Sequence, residues 1–341
     1  LFEGYLTLKK KKINNNQALK ESIYKKNTGN NWDKRNRFQI YKELKMINNE
    51  TSLSVSPRLH IKNNSEFFPL SGISNIKTIH CNENGYYSIY NSDRYGFNNP
   101  NQEWDKKEIE YVLVGDSYTH GSCVNRPNDI ASILRRLSDK SVLNLGYDGN
   151  GPLIQLATLR EYLKSDVKKV LWIYYEENDL KDLHQEKTNK LLTKYIDNPN
   201  FSQNLLLKHN KIDTILSKQI SKETKVIKSI TKFNFLSFVK LHKLRNLNSK
   251  NKDLASLTEF KEIISLAKEF TNENNTKLYF IYLPGYESLS LKKEDKNYKS
   301  IKNIINELNI PFIDLYKEIL KNEKNPLKYF PFKLFGHYNV K

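Results

Sequence analysis

The tripeptide Gly115-Asp116-Ser117 is the part of this chain whose residue types point most directly to chemistry. It follows a short apolar run, Tyr111–Val114, and the next helical pattern begins near Pro127. This order predicts a strand, a tight turn and a hydroxyl presented at the turn, the arrangement that a serine nucleophile needs. Turns are rich in all three residue types, so the tripeptide alone is also compatible with an ordinary strand-ending turn.

Three later segments favour the catalytic interpretation. A glycine-rich segment, 144–151, overlaps the end of the apolar run Val142–Leu145, and Glu177-Asn178-Asp179 comes soon after the apolar run Val170–Tyr175. The dipeptide Gly336-His337 lies near the end of the chain. In chain order, strand ends therefore supply a serine, a glycine and an asparagine, and a late loop supplies a histidine.

This ordered set resembles the SGNH (GDSL-type) hydrolases, over residues 107–182 and, less closely, over 257–341. The resemblance implies an α/β/α sandwich around a central parallel sheet, with Ser117 as nucleophile and His337 as its base. A serine hydroxyl is a poor nucleophile until a neighbouring base takes its proton. Histidine suits that task because it titrates close to neutral pH.

The resemblance also assigns an oxyanion hole, the set of donors that stabilises the negative charge formed when an ester carbonyl is attacked. The expected donors are the backbone N–H groups of Ser117 and Gly149 and the side-chain amide of Asn178. A glycine lets a substrate approach its N–H closely, because it has no Cβ. Gly146 is the other candidate glycine, but its place in the pattern fits the turn better.

Three features depart from the family pattern. The family's aspartate, three residues before the histidine, is Leu334 here, and Glu176 occupies a position expected to be glycine. Either Ser117 and His337 act as a dyad, or the acid comes from another segment, and Asp314 is the only nearby candidate by sequence. Glu176 is expected at a solvated strand end. A closing helix is expected after the histidine loop, where the sequence ends at Lys341.

The remaining histidines have no metal-ligand spacing, and the sequence contains no phosphate loop or dinucleotide fingerprint, so we predict neither metal nor cofactor. His120 is expected at the surface. The chain has two cysteines, Cys81 and Cys123, which leaves one bridge or two free thiols open. Its net charge of +18 comes from dispersed lysines without a recognised nucleic-acid motif, so nucleic acid is not an expected partner.

The chain divides by composition into three regions. Residues 1–31 are polar and predict an arm or tether, and 32–106 predict a helix capped by Asp33 followed by a small β-rich region. Strands and helices alternate over 107–341, which predicts a parallel sheet with helices on both faces and a site at the C-terminal strand ends. A lysine-rich helical insertion, 183–255, interrupts this alternation and is either a lid or a surface appendage.

These observations predict a serine esterase acting on carboxylic esters, with O-acetyl groups of cell-surface polysaccharide as the substrate that the resemblance suggests. The same chemistry with a sugar hydroxyl as acceptor gives an O-acetyltransferase. A third alternative is a glycan-binding or assembly protein whose site has decayed, which Leu334 would favour. The resemblance implies an extracytoplasmic protein that an N-terminal segment attaches to a membrane. Against export, Lys9–Lys12 favour the cytoplasmic side of any such anchor.

Overall fold

Five parallel strands form the central sheet of the chain, in a computed structural model that describes residues 16–63, 65–230 and 250–341. The strand order is β5-β4-β6-β7-β8. Their bounds are β4 Ile109–Gly115, β5 Val142–Asn144, β6 Val167–Tyr175, β7 Lys277–Leu283 and β8 Phe312–Asp314. Every neighbouring pair is parallel. The predicted α/β fold with a central parallel sheet is therefore confirmed.

Helices cover both faces of this sheet. Their bounds are α3 Ser117–His120, α4 Ile130–Ser138, α5 Pro152–Tyr162, α6 Asp179–Glu186, α7 Lys190–Asp197, α8 Leu205–Ile230, α9 Lys250–Glu273, α10 Tyr286–Leu291, α11 Tyr298–Glu307 and α12 Leu315–Asn322. Successive strand residues point to opposite faces. Val112 and Trp172 accordingly pack in the larger core with α5, α9 and α11, whereas Leu113 and Ile173 pack in a smaller core with α4 and α12.

The N-terminal region packs as a layer with its own three-stranded sheet. Its elements are α1, residues 16–28, α2 Arg37–Ile47, β1 Thr51–Leu53, β2 Lys77–Ile79 and β3 Ile89–Asn91. Strand β2 pairs in parallel with β1 and antiparallel with β3. Asn36, rather than the predicted Asp33, caps α2, because its side chain accepts the N–H groups of Phe38 and Gln39.

Helix α1 lies within the segment predicted as a polar arm, and its described part is packed instead of free. The Tyr24 ring lies edge-on to Trp32 and to Phe332, with ring centroids 5.8 and 6.4 Å apart. Lys20 Nζ donates to the carbonyl of Phe335 at 2.9 Å. Residues 1–15 of the predicted arm lie outside the described part of the chain.

The described part of the predicted insertion, 183–255, is mostly helical, with non-helical links at 187–189 and 198–204, and 231–249 lie outside the described residues. Helix α7 and the first part of α8 bury Leu192, Leu205 and Ile212 against the larger core. Within the described ranges, no helix is both long enough and apolar enough to cross a membrane.

The last segment of the chain brings a loop back to the C-terminal ends of the strands. Two 3-10 turns, Pro326–Tyr329 and Pro331–Lys333, precede it. The Asn339 side chain fastens the loop, because its amide donates to the carbonyls of Lys328 and Phe330 at 2.8 and 3.0 Å. This loop carries His337.

Candidate active site

Ser117 begins helix α3 one residue after strand β4 ends, so its hydroxyl stands at a C-terminal strand end. The Asp116 side chain caps the short helix by accepting the N–H of Tyr118 at 2.9 Å. Gly115 makes this turn possible, because a Cβ there would overlap the Thr119 side chain and the carbonyl of Ile173. As the first helical residue, Ser117 has a backbone N–H with no acceptor inside its own helix.

The structure brings Ser117 and His337 together although 220 positions separate them. His337 Nε2 lies 2.9 Å from Ser117 Oγ, within the distance at which an imidazole can take a hydroxyl proton. The Tyr118 ring packs against the imidazole, with centroids 5.0 Å apart. The geometry is that of a nucleophile and its base.

A carboxylate that the sequence reasoning missed lies on the other side of the imidazole. Glu83 Oε1 is 3.1 Å from His337 Nδ1, and Glu83 Oε2 accepts the backbone N–H of His337 at 2.6 Å. Burial lowers the pKa of His337, but the hydrogen bond and charge of Glu83 outweigh it, so the pKa is raised. Burial raises the pKa of Glu83, yet His337 pulls it below its ordinary value.

Asp314, the carboxylate considered from sequence, does not fill this place. It caps helix α12 by accepting the N–H of Lys317 at 3.0 Å, and it accepts a hydrogen bond from the Tyr298 hydroxyl. The Asp314 side chain is therefore already engaged as the N-cap of the helix that follows β8. Glu83, not Asp314, is the carboxylate that contacts the His337 ring.

Gly149 lies on a turn that the N-terminal region holds. Its φ of +79° is a conformation that side chains rarely adopt, and a Cβ there would overlap Ser56 Oγ. The Ser56 hydroxyl donates to the carbonyl of Asp148 at 2.7 Å. Within the described ranges the Gly149 N–H has no acceptor, whereas the Gly146 N–H is taken by Asn144 Oδ1 at 2.9 Å. Of the two glycines, Gly149 has the N–H that is available.

The Asn178 side chain is half-buried next to the nucleophile turn. Its Nδ2 lies 3.3 Å from Asp116 Oδ2, an oxygen that is also 3.4 Å from Ser117 Oγ. The same Nδ2 lies 3.2 Å from Asp182 Oδ2. Burial raises the pKa of both carboxyl groups to about 6. Both amide protons therefore point at carboxylates, and one must turn away before Asn178 can donate to an oxyanion.

Two side chains expected at the surface are buried. Glu176 accepts from the Tyr282 hydroxyl at 2.6 Å and from the Gly285 N–H at 2.5 Å, so it fastens the end of β6 to the loop after β7. His120 points inward beside His80, with ring centroids 4.8 Å apart. Burial holds the pKa of His120 well below its ordinary value, which keeps the ring neutral.

Cys81 and Cys123 form a disulfide beside the site, which resolves the two alternatives left open by the sequence. One ligand atom each of Glu83, Cys123 and His337 would lie within 4.8 Å of the others, a spacing compatible with a metal ion. This group does not fit a metal, because the sulfur is bonded to Cys81 and a thiolate is the form that ligates. The carboxylate and the imidazole are already paired with each other.

No protein-family model matches this chain, and neither does any curated protein. Among solved structures, a mutant of the esterase AlinE4 matches with 8% sequence identity and a TM-score of 0.31, over 64% of this chain and 82% of that one. Likeness at this level establishes neither a family nor an activity.

Proposed function

We propose that this protein is a serine hydrolase of carboxylic esters, working by the mechanism of the SGNH hydrolases that its sequence resembles. The observation that carries the proposal is the hydrogen-bonded row Ser117–His337–Glu83 at the C-terminal edge of a parallel sheet. Nucleophile, base and orienting carboxylate in this order form the arrangement that activates serine on unrelated folds.

In the proposed reaction, Ser117 Oγ attacks the ester carbonyl carbon while its proton passes to His337 Nε2. The carbonyl oxygen becomes an oxyanion, held by the N–H groups of Ser117 and Gly149 and by the Asn178 amide. Collapse of this intermediate returns the proton from Nε2 to the departing alcohol and leaves an acyl group on Ser117. Water then attacks the acyl carbonyl and gives one proton to Nε2. Collapse of this second intermediate returns that proton to Ser117 Oγ and releases the carboxylic acid.

We propose O-acetyl groups on a surface polysaccharide as the substrate, which rests on the sequence resemblance. The alternative of a decayed site depended on Leu334 standing where a carboxylate was expected. Glu83 supplies a carboxylate beside His337, which argues against that alternative. A sugar hydroxyl in place of water would make the same acyl-enzyme a transferase. Assays of O-acetylated polysaccharide with and without an unacetylated acceptor separate these outcomes by whether free acetate or acetylated acceptor is formed.

The test of the proposal is Ser117→Ala on p-nitrophenyl acetate. We expect kcat to fall by about 10⁴–10⁶-fold with the fold retained, because the variant lacks the attacking oxygen. A serine-directed phosphonate should label the wild-type protein at Ser117 and leave the variant unlabelled. Ser265→Ala is the matched control, since that hydroxyl donates to Glu269 at 3.1 Å within helix α9, away from the strand ends. A Ser117→Ala variant with wild-type turnover would refute the mechanism.

A further inference from the structure

The carboxylate beside His337 belongs to Glu83, which lies outside the region that forms the five-stranded sheet, in the turn between β2 and β3. We infer that Glu83 is a positioning residue for His337, and that the Cys81–Cys123 disulfide holds it in place. This inference rests on the proposed function, and the N-terminal region would then complete the site.

Both oxygens of Glu83 are used on one residue. Oε1 takes the Nδ1 side of the His337 ring and Oε2 takes the backbone N–H, so the carboxylate fixes the ring and the loop together. With the proton of the neutral ring on Nδ1, the lone pair of Nε2 faces Ser117 Oγ. A carboxylate in this place selects the tautomer that can act as a base and stabilises the imidazolium that forms.

The turn that carries Glu83 is fastened on both sides. The disulfide joins Cys81, two residues before Glu83, to Cys123 with their Cα atoms 5.0 Å apart. The Asn84 side chain donates to the carbonyl of Cys123 at 2.9 Å, so a second bond reaches the same residue. Cys123 in turn follows Ser122, whose N–H donates to the Ser117 carbonyl at 2.9 Å. The crosslink therefore ties the carboxylate to the segment that carries the nucleophile.

Several other charged and titratable groups face this pair. Lys20 of α1 approaches Glu83, and Asp116 and Asp148 add negative charge near His337. His80 also faces the imidazole, but burial lowers its pKa to about 3 and leaves it neutral. Of these groups, Glu83 alone contacts the Nδ1 side of the ring, so its charge should dominate the titration of His337.

The first experiment replaces the charge and keeps the shape, with Glu83→Gln in the full chain. NMR titration should give a His337 pKa above its ordinary value in the wild type and a lower one in the variant, because the hydrogen bond and charge of Glu83 then no longer oppose burial. The His337 signal is identified by its absence from His337→Asn. We also expect kcat to fall by about 10²–10⁴-fold with KM little changed, and the acid limb of the pH–rate profile to move to lower pH.

Asp314→Asn is the matched control, since it makes the same carboxylate-to-amide change at the other candidate acid. It should change neither the His337 pKa nor kcat. A Glu83→Gln variant with the wild-type His337 pKa and kcat would overturn the inference. The titration needs no turnover, so it still decides the role of Glu83 if the wild type hydrolyses no ester and the proposed function fails.

The second experiment removes the crosslink. Reduction of the folded wild type, or Cys81→Ser together with Cys123→Ser, should lower kcat at least 10-fold and shift the His337 pKa in the direction of Glu83→Gln. The reductant should have no effect on the double variant. Unchanged kcat and His337 pKa after reduction would refute the positioning role of the disulfide. If Glu83→Gln does not fold, the His337 titration of the reduced wild type is used in its place, because reduction releases the turn that carries Glu83. An unchanged His337 pKa would then overturn the inference.

Discussion

Replacing Asn178 by alanine tests the proposed oxyanion donor whose amide must turn away from a carboxylate before it can act. Its Nδ2 sits between Asp116 Oδ2 at 3.3 Å and Asp182 Oδ2 at 3.2 Å. These are long hydrogen bonds, so turning one amide proton from a carboxylate to a fully charged oxyanion costs little. Loss of one such donor typically lowers kcat by about 10²–10³-fold, or about 2.7–4 kcal/mol of transition-state stabilisation.

We therefore expect Asn178→Ala to lower kcat on p-nitrophenyl acetate by about 10²–10³-fold with KM little changed. The competing explanation is that Asn178 only separates two buried acids. Asp182→Asn tests this, because it removes one acid and leaves the Asn178 amide in place. If Asn178 is an oxyanion donor, Asp182→Asn should cost less than 10-fold in kcat, and its Arg58 partner is left at a half-exposed position.

Steady-state kinetics on both variants, with melting temperatures to verify folding, separates the two roles. An Asn178→Ala variant within threefold of wild-type kcat would refute the donor assignment. Equal losses in Asn178→Ala and Asp182→Asn would refute it as well, since the damage would then follow the acid pair and not the donor.

Two further predictions concern carboxylates away from the reacting atoms. Asp314→Ala should leave kcat unchanged and lower the free energy of unfolding by about 1 kcal/mol, because it removes the cap of α12. Chemical denaturation measures the change in stability. A large loss of kcat with the fold intact would instead identify Asp314 as the acid. Burial raises the pKa of Glu186 to about 8 from an ordinary 4.5, so the folded state holds a proton that the unfolded state loses. Wild-type stability should therefore fall as pH rises from about 4.5 to 8, and thermal melts of Glu186→Gln should show a shallower fall; parallel curves would contradict this.

The sheet and the loops at its C-terminal edge could be predicted because their signals are local. Apolar runs such as Val170–Tyr175 are long enough to indicate buried parallel strands, and the residues that follow must lie at the same edge. The roles of Ser117 and His337 come from the resemblance to the SGNH hydrolases, and the structure places the two side chains in hydrogen-bond contact. Gly149 and Asn178 lie on the expected loops, and their proposed donor roles remain predictions.

Glu83 could not be found in the same way, because no local pattern links it to a histidine 254 positions later. The one available signal was the pair of cysteines, since a bridge from Cys81 to Cys123 would have placed the Glu83 turn near Ser117. Cysteine count alone does not decide between a bridge and free thiols. Glu176 and His120 were assigned to the surface because polar side chains usually lie there, and their buried partners are contributed by distant segments.

The position of Glu83 also determines which segments of this protein can be recombined without dividing the site. A recombination event that joined 107–341 to a different N-terminal partner would transfer Ser117 and His337 but leave Cys81 and Glu83 behind. The hybrid would carry an unpaired Cys123 and a histidine ring without its carboxylate. Exchange at the boundary between 106 and 107 would thus preserve the sheet while dividing the site, so the smallest segment that evolution could move intact begins upstream of Cys81.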